Sequence, residues 1–62
     1  MITGQVLRKE RRDAEVTSTK VGELMGITRQ SVYRIERGQI KLTPAHIKAY
    51  RRALEQAAES KG

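Results

Sequence analysis

Between Thr17 and Gly38 the sequence holds two helix frames back to back, and this arrangement constrains the fold more than any other feature. The hydroxyl cluster Thr17-Ser18-Thr19 opens the first frame. The Thr17 side-chain oxygen can accept from a backbone N–H one turn in, where a helix start leaves donors unpaired. The helix runs to about Met25, and Val21, Leu24 and Met25 supply its apolar face. Gly26 ends it, because glycine takes the left-handed conformation of a helix stop without a Cβ penalty. Thr28 then caps a second segment from Arg29 to about Arg37, with Val32 and Ile35 on its buried side and Gly38 as its stop. Helices this short are marginal alone and must pack on each other. Val21, Met25, Ile27, Val32 and Ile35 are apolar where the two helices would face, and Gly22 is small where they would approach closely. No proline lies between Ser18 and Arg37. Two short helices joined by a tight glycine turn form a helix-turn-helix unit, here spanning about residues 18–37.

The flanks supply further helices. The first runs from roughly Thr3 to Ala14, with Val6, Leu7 and Ala14 near one face and Arg8, Lys9, Glu10, Arg12 and Asp13 mostly on others. The last starts with Thr43 as cap and Pro44 at the first helical position, where the missing N–H costs nothing. Ile47, Tyr50 and Leu54 follow as one apolar stripe, and the tail Glu55–Gly62 is expected to extend this helix. Ile40 and Leu42 close the core from the preceding loop, and Tyr50 is read as a core residue with its hydroxyl at the surface. No segment alternates apolar and polar residues as a half-buried strand would. The expected fold class is all-α. It is a compact four-helix bundle, with five helices as the alternative, forming a single domain over residues 1–62. A chain of this size buries only about 60% of its unfolded surface. Cysteine is absent and His46 is the sole histidine, so disulfides and His/Cys zinc sites are excluded. No cofactor motif appears. His46, in the first turn of a helix, reads as a capping or surface residue.

Charge bears on partners. Thirteen Lys and Arg against seven Asp and Glu give a formal net charge of +6 and a pI near 10.3. This favours a polyanion, although composition alone leaves a merely soluble basic surface equally open. With two Tyr, no Phe and no Trp, the chain cannot build the aromatic platform on which single-stranded nucleic acids stack. The expected partner is therefore duplex DNA. Neither a signal peptide nor a membrane-spanning run is visible, and a cytoplasmic location is expected.

The stretch from Thr17 to Gly38 resembles the core of Cro-type, lambda-repressor-like helix-turn-helix DNA-binding domains. Its most specific signature is Gly26-Ile27-Thr28 followed by Ile35-Glu36-Arg37-Gly38. The resemblance is clear over Val16–Gly38 and in register for the flanking helices. It implies that Arg11 and Glu36 form a partly buried ion pair that fixes the first helix against the third, a structural role shared with the Gly26 turn. Three positions depart from the family pattern. Ser18 stands where glutamine is common, Glu15 where glycine is usual (so the first turn is expected to take a different path), and only a short polar tail stands where a fifth helix often follows.

The third helix carries the chemistry. At 100° per residue, Arg29, Gln30, Tyr33, Arg34 and Arg37 fall on one arc of roughly 140°. Arginine can donate two bonds to guanine O6 and N7, and glutamine can pair with adenine N6 and N7. The start of such a helix normally reads bases. Base readout is therefore assigned to Arg29, Gln30 and Arg34, with Thr28 and Tyr33 as helpers. DNA backbone contacts are assigned to Arg37, Lys41, Ser18 and Thr19. Lys48, Arg51 and Arg52 read as a solvated face. No catalytic arrangement or phosphate-cradling glycine loop is present, so an enzyme is not expected. The expected role is a transcription regulator, a repressor acting as a homodimer on a palindromic operator, of the kind found in phages and mobile elements. The rivals are an antitoxin-like module that binds a protein partner as well as its own promoter, and an RNA-binding domain.

Overall fold

The computed structural model describes residues 2–60. Four helices follow one another, α1 (Gly4–Asp13), α2 (Ser18–Met25), α3 (Arg29–Glu36) and α4 (Pro44–Ser60), with no strand among the described residues. The all-helical expectation holds with four helices. α4 extends through the tail as far as Ser60, and Lys61 and Gly62 lie outside the described residues.

One residue type starts every helix. Threonine Oγ1 accepts from the N–H three residues on: Thr3 from Val6 at 3.3 Å, Thr17 from Lys20 at 3.1 Å, Thr28 from Ser31 at 3.1 Å and Thr43 from His46 at 3.2 Å. Each satisfies a donor that the helix itself leaves open, and a cap of this kind stabilises by about 1 kcal/mol. At α4 the cap is reciprocal, because His46 Nδ1 accepts from the Thr43 N–H at 3.3 Å.

The core gathers Leu7, Val16, Val21, Val32, Ile35, Tyr50, Ala53, Leu54 and Ala57, with Leu24, Met25, Ile27, Ile40, Leu42 and Ile47 packed around it. α2 packs on both α3 and α4, and α1 packs on the same two helices. The side of α1 turned inward runs Gly4, Leu7 and Arg11 and continues to the C-cap Ala14, a 3.6-residue period. Val6 sits about 100° off that line and is 37% exposed, so its assignment to the buried face is corrected. Gly4 is buried because α1 meets the end of α3 backbone to backbone. A Cβ there would collide with the Ile35 carbonyl oxygen and stand 2.7 Å from that of Glu36.

The first turn also differs from expectation. Glu15 occupies the left-handed region at φ 57°, the conformation that a glycine at that position would favour. The turn keeps the glycine path and holds a strained glutamate on it.

Candidate nucleic-acid interface

The α2–α3 pair is set by two glycines with different tasks. Gly26 adopts φ 74° and places its N–H on the carbonyls of Glu23 and Gly22, which ends α2. Gly22 serves contact instead, since a Cβ on it would lie 2.8 Å from the Ile27 carbonyl oxygen. The chain therefore turns over α2 at close range, and Thr28 restarts the helix at once. Val32 and Ile35, 0% and 3% exposed, plug α3 into the core.

The opposite side of α3 is open. Arg29, Gln30, Tyr33 and Arg34 are all exposed, as are Thr28 before the helix and, after it, its C-cap Arg37 and Lys41. Tyr33 lies between two guanidinium groups, with the Arg29 Cζ 6.0 Å and the Arg37 Cζ 5.8 Å from its ring centroid. These are cation–π distances at i ± 4 spacing, and they order two long side chains along the helix. Thr28 is less available than Arg29. Its hydroxyl already accepts from the Ser31 N–H and donates to Ser31 Oγ at 3.1 Å, which leaves one lone pair and a methyl group.

The acid of α3 is turned away from this face. Glu36 is 3% exposed. Its Oε1 accepts from Arg11 Nη2 at 3.2 Å, and its Oε2 accepts from Arg11 Nε at 2.8 Å and from the Tyr50 hydroxyl at 2.6 Å. Arg11 Nη1 also donates to the Val16 carbonyl at 2.9 Å, joining the first turn to the same cluster. Arg11 and Glu36 thus meet as a forked, charge-assisted pair. Tyr50 corrects its expectation, because its hydroxyl is buried on Glu36 and not at the surface. Burial, with the Glu36 carboxylate as hydrogen-bond partner, pushes the Tyr50 phenol well above the usual range. For Arg11, burial works against the charge, but the hydrogen bonds and the charge of Glu36 outweigh it and raise the guanidinium further.

A second pair was missed. Arg51, read as part of a solvated face, donates from Nε and Nη2 to the two oxygens of Glu10 at 3.1 and 2.8 Å. Lys48 and Arg52 remain exposed. The Arg51 bond holds the Glu10 carboxyl below its ordinary range. The partners are 41 residues apart, so helix spacing carried no signal for them.

Between α1, the start of α2 and α3 lies an open cleft lined by Gln5, Arg8, Thr17, Ser18, Tyr33 and Arg37, with the Arg11–Glu36 pair also in its wall. Ser18, expected to touch a DNA backbone together with Thr19, is only 7% exposed. It lines this cleft, whereas Thr19 is exposed. Among the described residues no cluster of His, Cys, Asp or Glu could hold a metal ion, and no helix is long and apolar enough to cross a membrane.

Two crossed helices on a glycine turn, with the second showing a cationic outer face, define a DNA-binding helix-turn-helix architecture. The family model described as a helix-turn-helix domain matches residues 3–59, and the chain belongs to that family. No curated protein matches the chain, and no solved structure does. The family makes DNA the partner and regulation of transcription the setting.

Proposed function

We propose that the protein is a sequence-specific transcription regulator of the lambda-repressor-like type, acting as a repressor that binds a palindromic operator as a homodimer. α3 enters the major groove. Arg29, Gln30 and Arg34 read base edges, assisted by Tyr33 and by the remaining lone pair and methyl of Thr28. Arg37, Lys41, Ser18 and Thr19 hold the backbone.

The observation that carries this reading is the division of α3: Val32 and Ile35 are sealed in the core while four polar side chains, and that of the Arg37 cap, stand outward without an exposed acid among them. A rigid helix with one packed face can present donors to nucleobases in fixed register. One copy spans only about one half-site, and two half-sites about one helical turn apart would supply a longer recognition sequence. Repression then follows from occupancy of a promoter.

Selection of bound duplexes from a random pool tests this. Enrichment of an inverted repeat is expected, and binding without any enriched motif would overturn sequence-specific readout. A single, non-repeated motif would overturn the homodimer on a palindrome while keeping the readout.

A further inference from the structure

The start of α4 differs from the other helix starts in what its threonine receives. Thr43 Oγ1 accepts from the His46 N–H at 3.2 Å, and the imidazole returns the bond, its Nδ1 accepting from the Thr43 N–H at 3.3 Å. At the same position in α1, α2 and α3 stand Val6, Lys20 and Ser31, and none of them returns a bond to the threonine N–H. A box closed in this way normally ends on Glu or Gln. Here the acceptor is a half-buried side chain of the one type that titrates near neutral pH. We propose that the Thr43–His46 box is a proton-sensitive latch on α4: it is closed while His46 is neutral and opens when the imidazole gains a proton, freeing the segment that joins α3 to α4.

The chemistry follows from the ring nitrogens. A neutral imidazole carries one N–H and one bare nitrogen, whereas the cation carries an N–H on both. The Thr43 backbone N–H can only donate, so Nδ1 is the bare nitrogen and the proton of neutral His46 sits on Nε2. Protonation sets a second donor against the first, and the ring must turn away. The cation would also stand in the first turn of α4, the end of a helix that disfavours positive charge. The Thr43 hydroxyl and carbonyl keep their own bonds, to the N–H groups of His46 and Ile47. The helix therefore persists, and only the bond that ties the incoming chain to it is lost.

No neighbouring acid holds the imidazolium in place. The ion pairs among the described residues are Arg11–Glu36 and Arg51–Glu10, and neither includes His46. Of the helices packed on α4, α1 brings Glu10 and Arg11, both engaged in those pairs, and α2 brings Lys20 and Glu23, neither within ion-pair distance of the ring. Glu36 of α3, which reaches α4 at Tyr50, is taken by Arg11 and by that hydroxyl. Along the chain the nearest charges are Lys41 before the box and Lys48 after it, both exposed cations. The latch closes one end of residues 38–42, whose other end is the Arg37 cap of α3. Its opening loosens the stretch that carries Lys41, and it is a property of the free chain that needs no DNA.

Heteronuclear NMR of the ring and backbone, with urea titrations, tests the latch between about pH 8 and about pH 5, a span in which an ordinary imidazole gains its proton. At the upper pH the neutral ring is expected to carry its proton on Nε2. The Thr43 amide proton should shift along the same titration curve as the ring. His46→Ala removes the acceptor and should lower the folded-to-unfolded ratio several-fold at the upper pH. That deficit against the parent should close by the lower pH, because stability that needs a bare nitrogen is present above the imidazole range and lost as pH falls through it. His46→Gln keeps an acceptor that does not titrate, so its advantage over His46→Ala should be the same at both ends. A neutral ring protonated on Nδ1, a Thr43 amide that ignores the titration, or a parent whose advantage over His46→Ala survives at the lower pH would each overturn the latch.

Discussion

Tyr33 governs the outer face of α3 through its two neighbours. Free arginine side chains carry about 2 kcal/mol of rotamer entropy, and the cation–π contact that Arg29 and Arg37 each make with the ring limits that freedom before DNA arrives. Tyr33→Phe keeps the ring and should bind within about twofold of the parent, since cation–π attraction resides in the face. Tyr33→Ala frees both guanidiniums and should weaken binding by about 1 kcal/mol or more. Equal losses in both variants would show that the hydroxyl, not the ring, matters. Arg29→Ala and Arg34→Ala should each cost about 1–3 kcal/mol at one operator position and relax preference there. The check is an affinity panel over single base-pair changes, and a uniform loss across the panel would remove these residues from base readout.

The elements show which structural signals act locally. Hydroxyl caps, stop glycines and the 3.6-residue stripe concern neighbours in the chain, so α2, α3 and the start of α4 were legible almost to the residue. Gly4, Val16 and the Tyr50 hydroxyl were not, because each depends on which helix comes to lie opposite. Nothing near Gly4 in the sequence reveals the α3 carbonyls above it, and the Arg51–Glu10 pair joins the two ends of the chain. The outward arc of α3 could be read from periodicity, whereas the buried position of Ser18 required the cleft. The turns permit a paired test. Glu15→Gly removes a left-handed non-glycine residue and should stabilise by about 1 kcal/mol, raising Tm by roughly 4–8 °C in a domain of this size. Gly22→Ala should destabilise, because its Cβ meets backbone at 2.8 Å and not a movable side chain. Thermal melts followed by circular dichroism measure both. A lower Tm for Glu15→Gly would mean that contacts of the glutamate outweigh its strain.

For the whole molecule, one carboxylate joins three helices: Glu36 on α3 holds Arg11 of α1 and Tyr50 of α4. This coupling has a pH signature. The Tyr50 phenol is raised in the folded state, so above about pH 10, the ordinary phenol value, the unfolded chain releases a proton that the folded chain keeps. The unfolded state then binds fewer protons, and stability present below that pH is lost as pH rises. Denaturant titrations from neutral to strongly alkaline pH should show Tyr50→Phe less stable by about 1.5–3 kcal/mol near neutrality, with the gap narrowing above pH 10. A gap that stays constant would show that the phenol does not titrate with unfolding. The inward turn of Glu36 also bears on how the molecule attracts a polyanion. A chain still assembling carries that negative charge in the open, beside the cations of its reading helix. Once the bundle closes, that charge is withdrawn together with the Arg11 cation that matches it, so the net charge stays the same while the outward face of α3 is left without an acid. Closing the bundle thus sorts the charges without adding any, and a partly assembled copy, with an acid beside its reading cations, is the poorer competitor for DNA at this face.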